Sequence, residues 1–256
     1  MEYGNRRHNR KKVKPLFDGS PYDTFTSEEV DPDRWATLVL TGQDGSRFEF
    51  LDTNAEVSVR GGIFEVSIPC FSLNHDSEQM LDNGKSLFIS THQFKITPGG
   101  SLEISASVSA EPHGQHSGGY RDGVVSLTVL NTETGAVFDW FVASSGAYAL
   151  HERLPISGPD DPECFSHVIE NPLARQSDTS IPHRYTVRLN PTLGRAQWLL
   201  DGQKYYEVQG RTDIPSAVRI GLGIFTLLPL VDGSSTCIRG QGMTGRWSEL
   251  SISGSS

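Results

Sequence analysis

Alternation of apolar and polar residues at every second position recurs along most of this chain, from Glu56 to Ile252. Side chains of an extended strand point to opposite faces in turn, so this period marks half-buried strands and excludes helices of period 3.6. Val57 and Val59 alternate against Glu56, Ser58 and Arg60, Gly61-Gly62 supplies a turn, and Phe64, Val66 and Ile68 resume the pattern. That reads as a hairpin. The same reasoning predicts strands over 85–90, 93–97, 102–108, 124–130, 136–143, 148–154, 185–189, 197–200, 205–208, 218–228 and 245–252. Asp201-Gly202 between two apolar runs is a type I′ hairpin signal. Residues 155–182 hold five prolines and read as one long irregular loop of the kind that often carries function. No helix-period segment of useful length, internal repeat or linker is present. The fold class expected is all-β, a two-sheet antiparallel jelly-roll sandwich.

Composition narrows the class further. A chain of 256 residues with 36% hydrophobic residues can bury a core without staples. Three cysteines are too few and too scattered for a disulfide framework or a Cys-rich zinc site. No apolar run approaches the ~20 residues that span a bilayer. The net charge of -9 conceals an asymmetry: residues 1–14 carry six basic side chains against Glu2, a net of +5, which leaves -14 for the rest. Residues 1–15 therefore read as a basic, disordered arm and 16–256 as one β-sandwich domain. The arm could meet nucleic acid, anionic lipid or an import receptor, or simply be a solvated terminus. It has no apolar stretch after its basic residues, so it does not read as a secretory signal, and a cytoplasmic location is expected. The acidic body argues against nucleic acid as its partner.

The order of features resembles the concanavalin A-like lectin and glucanase superfamily, in its laminarinase-type jelly roll. The residues that carry the resemblance are Tyr22 to Phe25, Asp31 to Trp35, Asn54 to Ile68, His183 to Val187, Trp198 to Gly202 and Trp247 to Ile252. It covers most of 22–252 and is also similar to an uncharacterised microbial family of this fold. The resemblance implies two stacked sheets, one concave, with a ligand groove on the concave face and a last strand that pairs near the start. The superfamily's hydrolases carry two glutamates with an aspartate between them on one strand, where alternate residues face the groove. The nearest match here is Val137-Phe138-Asp139-Trp140-Phe141, in which Asp139 is the one acid. The hydrolytic motif is absent, and glycosidase activity is not expected to carry over.

The residues themselves suggest another arrangement. With Ser144 to Ala147 taken as a four-residue loop, Asp139 falls directly opposite Glu152, Val137 opposite Leu154 and Phe141 opposite Leu150. Opposed Cβ atoms lie ~4.5–5.5 Å apart. Two carboxyls that close on an apolar face do not both ionise, so one would act as acid and the other as base, at a spacing like that of retaining glycosidases. Asp139 and Glu152 are thus the expected catalytic pair, with Trp140, His151, Arg153, Tyr148 and His183 as expected substrate-binding residues. The same register sets Trp140 against His151 and Phe138 against Arg153, and Trp140 is the expected aromatic platform. A one-residue slip would turn the pair into a buried ion pair.

Other groups have plainer readings. Trp35, Trp198 and Trp247 are expected in the core. His113 and His116 lie in a polar loop without an evident third zinc ligand. Asp31/Asp33 and Asp160/Asp161/Glu163 could hold a structural calcium or be solvated turns, and no other cofactor is expected. Gly240 to Gly245 lacks the following helix of a phosphate loop. Three functions follow: a small-molecule enzyme doing cofactor-free acid–base work on a polar or polycyclic ligand, as an isomerase, cyclase or lyase; a non-catalytic glycan-binding module; or a divergent glycoside hydrolase. The partner expected is a small-molecule or glycan ligand, with no membrane and an open oligomeric state.

Overall fold

The structure is a computed structural model, and it describes residues 18–41, 47–72, 84–114, 119–154, 163–172, 178–226, 230–231, 234–235 and 240–255. The basic arm, His116, Asp160, Asp161 and Cys237 lie outside the described residues. Every regular element among those residues is a strand. In chain order they are β1 (Asp18–Asp23), β2 (Trp35–Thr37), β3 (Val39–Thr41), β4 (Arg47–Glu49), β5 (Glu56–Arg60), β6 (Ile63–Ile68) and β7 (Gly84–Ser90). There follow β8 (Phe94–Lys95), β9 (Ser101–His113), β10 (Val124–Leu130), β11 (Ala136–Ala143), β12 (Gly146–Arg153), β13 (Phe165–Glu170) and β14 (His183–Asn190). The chain closes with β15 (Arg195–Leu200), β16 (Gln203–Val208), β17 (Ala217–Phe225), β18 (Leu230–Val231), β19 (Ser234–Ser235) and β20 (Gly242–Ser255). No helix among the described residues is long and apolar enough to cross a membrane.

Two antiparallel sheets form a sandwich. The first runs β16-β15-β14-β9-β20-β6-β5, with β1 also on β20, and the second runs β13-β12-β11-β10-β17-β7-β2, with β8 on β17. The last long strand therefore pairs with the first, as the resemblance implies. The inward positions of both sheets interdigitate as one core: Ile104, Ala106 and Val108 of β9, Tyr185 and Val187 of β14, and Trp247 of β20 meet Leu127, Phe138, Trp140 and Leu222 of the second sheet. The predicted tryptophan cores hold, since Trp35, Trp198 and Trp247 are all buried. Asp201 and Gly202 turn the β15–β16 hairpin with φ of 49° and 78°, the left-handed pair that a type I′ turn demands.

Some predicted spans shift. Strand β9 runs on to His113, whose Nε2 lies 2.7 Å from Thr244 Oγ1, so Glu111 to His113 is ladder rather than loop. The predicted 93–97 strand shrinks to Phe94–Lys95. The expected long loop contains β13, which adds an edge strand to β12. Its sequence, Phe-Ser-His-Val-Ile-Glu, lies only partly buried, and its apolar residues do not alternate cleanly.

The second sheet differs from the first in its outward face. On the first sheet that face is a charged ladder, with Arg188 paired to Glu103 and Arg246 bridging Glu65 and Glu111 across three strands. On the second sheet it is a separate apolar cluster of Ile89, Val124, Leu130, Val137, Phe141, Ala143, Tyr148 and Leu150. Strands β10 and β11 are buried at every position for this reason: one side feeds the sandwich core, the other this second cluster.

Candidate active site

Strands β11 and β12 join through a tighter turn than the sequence suggests. Ala143 pairs with Gly146, so only Ser144 and Ser145 turn the chain. Gly146 has φ of 139°, a backbone geometry that side-chain-bearing residues rarely adopt, and it re-enters the ladder at once. The expected four-residue loop is therefore corrected to two residues, and the register moves by two. Asp139 faces Leu150, Glu152 faces Val137, Phe141 faces Tyr148, Trp140 faces Ala149 and Phe138 faces His151. A shift of two keeps each side chain on its face. Asp139 and Glu152 still share the outward face of the second sheet, as diagonal rather than direct neighbours. Diagonal positions in an antiparallel pair stand ~7–8 Å apart, wider than the spacing expected for direct opposition.

Asp139 sits at the centre of that face and is 3% exposed. Its carboxyl takes a 3.0 Å hydrogen bond from Thr128 Oγ1 and a 3.2 Å bond from the Val129 N–H. Thr128 Oγ1 lies 3.0 Å from Ser126 Oγ, so three polar side chains form a chain across β11 and β10. Burial drives the Asp139 carboxyl well above the ordinary carboxylate range, the Glu152 charge adds to this, and the two hydrogen bonds oppose it. Burial raises Glu152 to about 7, against a contact with Ser166 that lowers it. Tyr148 completes the group on this face, its ring 4.8 Å from Tyr120 and its hydroxyl 2.8 Å from Ser145 Oγ. A neutral acid beside a carboxyl that titrates near neutrality is an arrangement able to give and take protons.

The floor next to Asp139 is unusually low. Thr128 pairs with Gly221 and Ser126 with Gly223, and the Leu87 side chain lies over both glycines. The face is not an open groove. Val137, Phe141, Tyr148 and Leu150 are buried, and Leu38, Tyr120, Leu154, Val168 and Phe225 pack against them. The ligand groove that the resemblance implies is, at this face, filled and covered by apolar side chains.

The remaining expected site residues lie elsewhere. Trp140 is fully buried in the sandwich core and donates from Nε1 to the Thr186 carbonyl, so it cannot be a platform for ligand. An odd-numbered acid and an even-numbered tryptophan on one strand must face opposite ways. His151 also points between the sheets, stacked on Phe138 with centroids 5.0 Å apart. Arg153 lies on that side at the strand end and pairs with Glu163 at 2.7 Å. His183 belongs to the first sheet, where its Nδ1 lies 2.8 Å from Asp201 Oδ2 and helps hold the β14–β15 corner. Asp31 is engaged by Arg34 and by the Asp33 N–H, and the described residues contain no group of three or more His, Cys, Asp or Glu arranged for a metal. Sequence reasoning missed Ser126, Thr128 and Ser166. The first two were findable, since their hydroxyls alternate at one spacing within an apolar strand.

Solved structures with the same architecture are numerous. The catalytic domain of an endo-1,3-β-glucanase (laminarinase) from Thermotoga petrophila is 12% identical, with 93% of this chain and 98% of that chain covered and a TM-score of 0.58. A Zobellia galactanivorans LamA protein in complex with laminaritriose and laminaritetraose is 13% identical, with 92% and 99% covered and a TM-score of 0.57. The endo-1,3-β-glucanase of Streptomyces sioyaensis is 13% identical, with 91% and 95% covered and a TM-score of 0.55. Likeness at these identities establishes the concanavalin A-like jelly-roll fold and nothing of the chemistry. No curated protein sequence matches the chain. A family model does match, over residues 22–256, and the chain belongs to that family, DUF6081, a family of unknown function.

Proposed function

We propose that this protein binds a small, uncharged, largely apolar or polycyclic ligand at the outward face of the second sheet and does acid–base chemistry on it with two carboxyls. Asp139 is the acid and Glu152 the base, and the reaction is of the isomerase, cyclase or lyase kind. The observation that carries this reading is the pair itself. Two carboxyls share one covered apolar face, and burial raises both. The glucanase fold is expected to hold its acids along one strand. Here β11 has Val137, Asp139 and Phe141 on the outward face, and the second acid comes from β12. A covered apolar site favours a ligand that brings little charge of its own. Access requires the cover of Tyr120, Leu154 and Phe225 to shift.

Glycan binding is the competing reading and draws on the fold. Against it, the large hydrophobic side chains exposed among the described residues are Ile63, Ile181 and Leu193, so no open aromatic platform supports it. A thermal-shift screen of the full chain, with laminaritriose beside terpenoid and polyketide-like compounds, tests the choice. The proposal expects stabilisation by the polycyclic compounds and loss of turnover in both Asp139→Asn and Glu152→Gln. Stabilisation by sugars alone overturns it.

A further inference from the structure

A second site lies away from that face, at the open edge of the sandwich. There the edge strand β13 stands over the segment that follows β16, and a cavity of about 300 Å³ opens between the two sheets. Arg153, Glu163, Phe165, Arg211 and Asp213 line it. His151, 2% exposed, does not line the cavity but packs against one of its walls, with its ring edge-on to Phe165 at 4.8 Å.

The two arginines are used differently. Arg211 is closed by its neighbour: Nε and Nη2 each donate to one oxygen of Asp213 at 2.9 Å, and its guanidinium lies 5.1 Å from the centre of the Phe165 ring. Arg153 is not closed in this way. Its Nη2 meets Glu163, a side chain 65% exposed, while its buried Nε has no hydrogen-bond partner. A buried guanidinium N–H without an acceptor is costly, and Nε with Nη2 is the fork that a planar carboxylate fits with two parallel bonds. The buried Nε2 of His151 also makes no hydrogen bond of good geometry, and lies 3.4 Å from Asp213 Oδ2. An unsatisfied buried N–H of Arg153 and the ring of Phe165 therefore meet at one cavity, with the unsatisfied Nε2 of His151 beside its Asp213 wall. Its volume suits a ligand of one six-membered ring, near the lower bound for small-molecule sites.

We propose that this inter-sheet cavity binds a small ring-bearing carboxylate. The ligand carboxylate takes Nε and Nη2 of Arg153 and displaces Glu163, and its ring lies against Phe165. Glu163 is then a built-in competitor for the anchor, a role that a merely structural salt bridge does not have. The outward-face chemistry is not involved, so either proposal can fail without the other.

Isothermal titration of the full chain tests this, with D-glucuronate and benzoate as probes for a sugar acid and an aromatic acid, and D-glucose as the uncharged control. Saturable binding of at least one acid and none of glucose is expected. Arg153→Gln should weaken binding at least about tenfold, the loss expected for a charged bidentate contact. Glu163→Gln should strengthen it several-fold, and because Glu163 is exposed this variant keeps the proposal testable if Arg153→Gln does not fold. Absence of binding by both acids, equal binding of glucose, or an affinity unmoved or weakened by Glu163→Gln overturns the proposal.

Discussion

Trp198 Nε1 donates a 2.9 Å hydrogen bond across the sandwich to the backbone carbonyl of Asp139. The donor sits on β15 of the first sheet and the acceptor on β11 of the second. Trp247 bonds the Ser126 carbonyl and Trp140 bonds the Thr186 carbonyl in the same manner, each at 2.9 Å. Three buried indoles thus satisfy their N–H groups by tying sheet to sheet, and two of them hold the strands that carry Asp139 and Ser126. A buried indole without a partner would be penalised, so packing and polarity fix these rings together.

Trp198→Phe keeps an aromatic ring in the core and removes the donor. The expected cost is about 1–2 kcal/mol, from the lost bond and the smaller ring. Urea unfolding measures it, and hydrogen exchange should show faster opening at the β11 amides than at those of β6.

Gly221→Ala tests the floor beside Asp139. A Cβ there would stand 2.8 Å from Leu87 Cδ1 and 3.0 Å from Thr128 Cβ. Overpacking of this kind costs about 1–3 kcal/mol. In a Leu87→Ala background the added methyl has room, so the cost of Gly221→Ala should fall by about 1 kcal/mol or more in a double-mutant cycle. Equal costs in the two backgrounds would place the strain elsewhere.

The sandwich itself was legible in the sequence, and the carboxyl site only in part. Strands β5, β6, β10 and β11 match their predicted spans because alternation and the turn residues point the same way. Parity was legible too, which is why Asp139 and Glu152 share a face. Register was not, because Ser-Ser-Gly-Ala allows a four-residue loop or a two-residue turn, and only the backbone angle of Gly146 decides between them. Strand β13 was hidden by its weak alternation and proline-rich surroundings. The inter-sheet cavity could not be read at all, since it joins residues of β12 and β13 with Arg211 and Asp213 of the opposite edge.

Glu152 makes stability depend on pH in one direction. Its value is about 7 in the folded chain against an ordinary 4.5, so the native state holds a proton that the unfolded state has released. Its contribution is fully present below pH 4.5 and is lost as pH rises through 7, a change of about 3 kcal/mol. Glu152→Gln should therefore gain on the parent protein as pH rises from 4.5 to 7.5 in urea melts.

His151 works the other way. Burial lowers it to about 4 from an ordinary 6.5, with Asp213 pulling it back up. The unfolded chain then binds the extra proton first, so stability falls by about 3 kcal/mol as pH drops from 6.5 to 4. Between pH 4.5 and 6.5 these neighbours along β12 nearly cancel. His151→Phe fits the surrounding rings and should leave the Glu152 trend uncovered, with stability that rises as pH falls from 7 to 4.5.

The account turns on a carboxyl pair that shares protons near neutrality. Carbon NMR of side-chain carboxyls, with Glu152→Gln to assign the signal, measures this directly. The account predicts that Glu152 titrates near pH 7 and that Asp139 stays protonated well above the ordinary carboxylate range. A Glu152 midpoint near 4.5, with Asp139 ionised at the same pH, would contradict it.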